Sequence, residues 1–128
     1  VNAIVPNDRP GPTAERRARF RRGLVAEAIA AISLTCRGYR VLARRFRVGA
    51  GEIDLIATRG RLVAFIEVKR RRDALAAEAA IAPRQRQRIM RAADVWVARN
   101  PRFAGHDRRF DVVFVLPRRW PRHIEGGL

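Results

Sequence analysis

The stretch Gly51-Glu52-Ile53-Asp54-Leu55-Ile56-Ala57-Thr58-Arg59-Gly60-Arg61-Leu62-Val63-Ala64-Phe65-Ile66-Glu67-Val68-Lys69 decides how this chain is read. Two apolar runs alternate with polar residues on either side of Arg59-Gly60, which is the pattern of a β-hairpin with a two-residue turn. Side chains alternate between the faces of a strand, so Glu52, Asp54 and Ile56 share one face and Val63, Phe65, Glu67 and Lys69 share one on the next strand. A turn at Arg59-Gly60 pairs Thr58 with Arg61, Asp54 with Phe65 and Glu52 with Glu67. Asp54 and Glu67 then become diagonal neighbours, about 7–8 Å apart at the backbone, a separation from which two carboxylates can converge on one cation.

Such a gathering of acids is unusual in this chain. Its 128 residues include 28 Lys+Arg against 12 Asp+Glu, a formal charge of +16. Like charges facing each other on a sheet repel, so Glu52, Asp54 and Glu67 require compensation. A hard divalent ion such as Mg²⁺ or Mn²⁺ supplies it through oxygen ligands; arginine, in a plain salt-bridge network, supplies it equally well. Lys69 is the only lysine in the chain. It stands two residues after Glu67 on the same strand face. A compact ammonium can lose its proton when desolvated or hold a water, roles closed to guanidinium.

Around the hairpin the pattern continues. Residues 1–12 carry Pro6, Pro10, Gly11 and Pro12 and read as a flexible leader. After Thr13 a first helix is expected, with Phe20, Leu24, Val25, Ala28, Ile32 and Cys36 at helical spacing and Gly38 ending it. Glu27 shares a face with Leu24, Ala31 and Leu34 and so points toward the core. A buried carboxylate there pairs with an arginine or joins the acids of the hairpin. Tyr39–Val48 reads as an arginine-rich strand. An alanine-rich stretch to Ala82 is helical or mobile. Pro83 opens a second helix with Ile89, Ala93, Trp96 and Val97 on one side, ended by Asn100-Pro101. Phe110–Leu116 reads as a buried strand and residues 117–128 as an irregular tail. The order is α-β-β-β-α-β, with a single domain over residues 13–117 and a tail at 118–128.

The charge favours an anionic partner, because basic side chains displace counterions from a phosphate backbone. The longest uncharged stretch, Ala28–Cys36, is far short of a membrane span, and no secretory pattern opens the chain, so a cytoplasmic protein without a membrane partner is expected. Cys36 cannot form an internal disulfide and reads as a buried small hydrophobe. Arg84, Arg88 and Arg91 lie opposite the apolar stripe of the second helix and can track a phosphate backbone. Arg70, Arg71 and Arg72 follow the lysine strand directly, while Arg45 and Arg47, with Arg40 and Arg44, line the preceding one. Trp96 belongs to the core; Trp120, among arginines and prolines, is free to stack on a base or to dock. Asp111 pairs with an arginine, and His106 and His123 have no zinc spacing.

Gly51-Glu52-Ile53-Asp54-Leu55-Ile56 followed by Phe65-Ile66-Glu67-Val68-Lys69 resembles the PD-(D/E)xK nuclease superfamily. More narrowly, the chain resembles the YraN family, whose fold is similar to archaeal Holliday-junction resolvases, from Gly23-x-x-x-Glu27 through Gly38-Tyr39 to Arg109-Phe110-Asp111-Val112-Val113. The resemblance implies an α/β restriction-endonuclease-like core, a mixed central sheet flanked by helices. It implies Asp54 and Glu67 as Mg²⁺ or Mn²⁺ ligands, the Val68 carbonyl as a third, Lys69 beside the attacking water, and Glu27 as the acid of the first helix. Ile53 stands in place of the superfamily's proline, and Gln85 where relatives often carry lysine. The expected activity is metal-dependent phosphodiester hydrolysis, with DNA, branched DNA included, as favoured partner and a homodimer by analogy with resolvases. The alternatives are a non-catalytic nucleic-acid-binding module on the same fold and a basic scaffold for ribosomal or membrane surfaces.

Overall fold

A computed structural model describes residues 11–49, 51–72 and 83–128, with the side chains of residues 83 and 84 outside the description. The elements are α1 (Pro12–Cys36), β1 (Arg40–Val48), β2 (Gly51–Arg59), β3 (Leu62–Arg70), α2 (Pro83–Arg99), a 3₁₀ turn (Pro101–Phe103), β4 (Asp107–Val115) and β5 (Arg122–Ile124). The strands form one sheet in the order β1-β2-β3-β4-β5. Neighbours are antiparallel except β3 and β4, which run parallel because the segment containing α2 carries the chain back to the starting end of the sheet. The fold is thus the expected mixed α/β sheet in the order α-β-β-β-α-β, with a short β5 added.

Alternation along the strands gives each face of the sheet its own core. Ile56, Val63, Phe65, Val112 and Phe114 meet Ile89, Ala93, Trp96 and Val97 of α2, and Trp96 sits edge-on to Phe65 with 6.0 Å between ring centres. Leu55, Ala57, Ala64, Ile66 and Val113 meet Ala26, Ala30 and Leu34 of α1 on the other face. The apolar stripe expected on α2 and the core position of Trp96 are therefore as observed. Gly51, at the start of β2, passes close to α2: a Cβ there would stand 2.7 Å from the Arg88 carbonyl oxygen. Only glycine permits that approach without displacing backbone.

Three sequence expectations change. The hairpin turn is Gly60-Arg61, since Arg59 pairs with Leu62 and Thr58 with Val63. The register is therefore two residues away from the one read from Arg59-Gly60; moving by two keeps each side chain on its face and brings Asp54 level with Glu67. The second change concerns α1. Its buried residues are Ala26, Glu27, Ala30, Ser33 and Leu34, while Phe20, Val25, Ile29 and Ile32 are exposed, as is Cys36. The helix lies on the sheet through its small side chains, and the strands supply the bulk. Third, residues 117–128 are not irregular throughout: β5 pairs with β4, and Leu128 is buried with the α2-side core. Of the leader expected over residues 1–12, residues 1–10 lie outside the described residues, while Gly11 caps α1 and Pro12 opens it; the alanine-rich segment at 73–82 also lies outside the described residues.

Candidate functional site

The sheet forks. Pairing between β2 and β3 ends at Leu55–Ile66, whereas β2 stays with β1 as far as Gly51 and β3 stays with β4 as far as Arg70. Asp54, Glu67, Val68 and Lys69 sit in the opening. Asp54 Oδ2 accepts a hydrogen bond from the Val68 N–H at 2.8 Å, so a side chain replaces the next rung of the ladder.

Glu67 and Lys69 point to the α2 side, where Gln85 joins them. Gln85 Nε2 donates to Glu67 Oε1 at 2.5 Å, and Lys69 Nζ donates to Gln85 Oε1 at 3.4 Å. The Lys69 ammonium also lies 3.7 Å from Glu67 Oε1, both side chains being largely buried. On the α1 side, Glu27 Oε1 faces Arg45 Nε at 3.3 Å. That contact is imperfect: Glu27 Oε2 and Arg45 Nε are both buried and have no hydrogen-bond partner. Arg45 itself adopts a left-handed backbone, φ 54°, a conformation costing about 1–2 kcal/mol away from glycine. Its guanidinium also covers the Phe20 ring at 4.6 Å.

The electrostatics follow from the crowding. Burial, and next the neighbouring Glu67, push the Asp54 carboxyl up to about 7 against the hydrogen bond from Val68; Glu27 and Glu52 add to the rise. Burial also raises Glu67, opposed by Lys69, and raises Glu27, opposed by Arg45 and Arg44. In each case protein cations fall short of offsetting buried negative charge. The carboxylates that sequence analysis singled out are thus together and under-compensated. Glu52 is not part of the pair: it is exposed enough to take Arg47 at 3.1 Å. Among the described residues no group of three or more His, Cys, Asp or Glu forms a ready-made metal cage.

Of the arginines expected to meet nucleic acid, Arg45 and Arg47 are engaged with Glu27 and Glu52. Arg88 and Arg91 line a cavity of about 240 Å³ beside Gly51, Arg70 and Arg71 line another beyond β3, and the side chain of Arg84 lies outside the described residues. Gln85 is the site residue that sequence analysis did not assign a role; its one signal was that it stands where relatives often carry lysine. A second polar cluster was visible only in part. Arg109 grips Asp111 with two hydrogen bonds of 2.8 Å, as its pairing expectation required. His123 Nε2 and the Gly126 N–H also donate to Asp111 at 2.8 Å, and Arg109 donates to the Tyr39 hydroxyl at 2.6 Å.

Residues 26–115, the span holding all of these acids and Lys69, match the model of the uncharacterised protein family UPF0102. The chain belongs to this family. UPF0102 proteins of Methylorubrum extorquens and Parvibaculum lavamentivorans are 56% and 51% identical over 91% of the chain, covering 91% and 87% of their own lengths. Among solved structures, the chain is similar to Hjc, a Holliday junction resolvase of Archaeoglobus fulgidus. That likeness has a TM-score of 0.53 at 18% identity over 80% of this chain and 76% of that one. At such identity the likeness concerns the fold, which the two proteins share. No helix of the described residues is long and apolar enough to cross a membrane.

Proposed function

We propose that this UPF0102 protein is a metal-dependent endonuclease acting on DNA, with the fork of the sheet as its active site. The observation that carries the reading is the meeting of Asp54, Glu67 and Lys69 where β2 and β3 part. Two under-compensated carboxylates fit a magnesium or manganese ion, which takes one or two protein carboxylates and completes its shell with waters and substrate phosphate. The unpartnered Glu27 Oε2 fits the same need for positive charge. In a strand the N–H and C=O of one residue point the same way, so the Val68 carbonyl, whose N–H meets Asp54, faces the fork as well. Asp54, Glu67 and the Val68 carbonyl would thus hold the cation, with Glu27 adding negative charge from the α1 side. When bound, the ion supplies Lewis-acid stabilisation of the phosphoryl charge and a more acidic water.

The chain's own residues do the remaining work. Lys69 holds an ammonium beside Glu67, able to orient a water or to stabilise charge developing on the phosphate. Gln85 bridges Lys69 and Glu67 and fixes both. The excess of arginine draws the phosphate backbone to this one acidic opening. The likeness to a Holliday junction resolvase supports branched DNA as substrate; a cytoplasmic site of action and a homodimer acting on two strands complete the proposed reading.

Purified protein incubated with branched, duplex and single-stranded DNA and with RNA, with and without Mg²⁺ or Mn²⁺, is expected to cut DNA only with metal. Asp54→Asn, Glu67→Gln and Lys69→Ala should each abolish cutting. Absence of cleavage on every substrate defeats the reading. A second reading is favoured by the engagement of Lys69 with Glu67 and Gln85: a non-catalytic module, for which salt-sensitive binding survives all three substitutions without cleavage.

A further inference from the structure

The face of α1 that presses Ala26, Glu27 and Ala30 against the sheet continues toward the N-terminus through Gly23, Arg22 and Arg19, because residues three and four apart share one side of a helix. There it meets Arg70, Arg71 and Arg72 at the end of β3, and these residues with Pro117 bound a pocket of about 450 Å³. Five arginines line it. Arg45, Arg47, Arg59, Arg108 and Arg109 each have a carboxylate within 4.0 Å. Among the described residues, none of the five around the pocket has one. Gly23 adds a second observation. It lies inside a helix, where alanine is the better helix former, and a Cβ built on it would meet nothing within 4 Å. Packing of the chain does not call for glycine there; the open space over it belongs to the pocket.

We propose that this pocket binds the terminal phosphate monoester of a nucleic-acid strand, an inference that rests on the nucleic-acid-binding part of the function proposed above. A monoester brings a charge of about −1.5 to −2 and three acceptor oxygens, whereas a diester within a strand offers one charge and two free oxygens. Arginines clustered around one hollow, with no carboxylate partner among the described residues and Arg71 held only by the Arg70 carbonyl, match the former, because a guanidinium fork can take two oxygens of one group. Gly23 stands one helical turn, about 6 Å, from Glu27, and Arg70 follows Lys69 directly. A strand held by its end therefore leads into the fork.

Binding without metal separates this site from catalysis. In EDTA, fluorescence anisotropy would compare single-stranded oligonucleotides of one sequence, labelled internally and carrying a 5′-phosphate, a 3′-phosphate or neither. One phosphorylated end is expected to bind roughly tenfold more tightly than the bare strand, and which end does so gives the polarity. Inorganic phosphate should erase that increment. Arg22→Ala and Gly23→Ala should bring the ratio toward one, and thermal unfolding of Gly23→Ala should show a fold at least as stable as the parent. Equal binding of all three strands overturns the proposal, as does an inorganic-phosphate site without an end preference, even if the protein cuts DNA. An end preference without any cleavage leaves this site standing and removes the nuclease reading instead.

Discussion

Asp111 and Asp54 flank β3 from opposite sides and meet opposite fates. Asp111 is fully buried, yet it receives four hydrogen bonds, from Arg109, His123 and Gly126. Burial alone would raise its pKa; the donors outweigh burial and hold it down at about 2. Asp54 receives one bond from a backbone N–H and faces Glu67, and it rises to about 7. The difference teaches where this molecule is finished and where it is not. The Asp111 cluster ties β4 to β5 and to Tyr39 and compensates its buried carboxylate with four donors, as expected of a structural network, although the buried His123 Nδ1 has no hydrogen-bond partner. The fork keeps negative charge without a matching cation, as expected of a place that awaits one.

The largest test of this contrast is Asp111→Asn. It leaves Arg109 a single carboxylate, Glu125, at the longer distance of 3.5 Å, and should cost about 3 kcal/mol or more in urea unfolding at pH 7. Because folding lowers the Asp111 pKa, the stabilisation is complete above the ordinary carboxylate range and is lost as pH falls through about 2. The gap between parent and variant should accordingly hold from pH 7 to about 4 and narrow below it; a gap that widened in acid would contradict the assignment. Asp54→Asn should have the opposite sign. In EDTA it relieves repulsion with Glu67 and keeps an acceptor for Val68, raising stability by on the order of 1 kcal/mol. Added Mn²⁺ should lift the melting temperature of the parent by a few degrees and leave that of the variant in place. The smallest effect belongs to Gln85→Ala, which removes one partner each from Glu67 and Lys69. Its thermal unfolding should shift by less than about 1 kcal/mol; a loss as large as that of Asp111→Asn would mean the fork is as structural as the other end.

Much of this was legible in the sequence, for reasons that can be named. The hairpin, both helices and the mixed sheet follow from alternation, helical spacing and turn residues. The hairpin register did not, because Gly60 can occupy either central position of a two-residue turn and the sequence does not say which. The buried side of α1 was misread by weight of side chain: Phe20, Val25 and Ile32 look like a core stripe, yet Ala26, Ala30 and Ser33 allow the closer approach. Glu27, placed toward the core by the helix wheel, is there. The Asp111 cluster was half visible, since Arg109 is two residues away, whereas His123 and Gly126 reach it from a segment that carries no strong strand pattern. Gln85 meets Glu67 across 18 positions, a distance no local pattern spans.

The exposed loop Gly60-Arg61 looks like a harmless place to splice in an affinity handle or a reporter. It is the ruler that sets Asp54 level with Glu67, since β3 answers to β2 through this loop and to β4 along its whole length. One extra amino acid absorbed into the hairpin would invert every side chain of β3 relative to its neighbours. Variation in loop length among kindred proteins should therefore collect elsewhere and spare this tip.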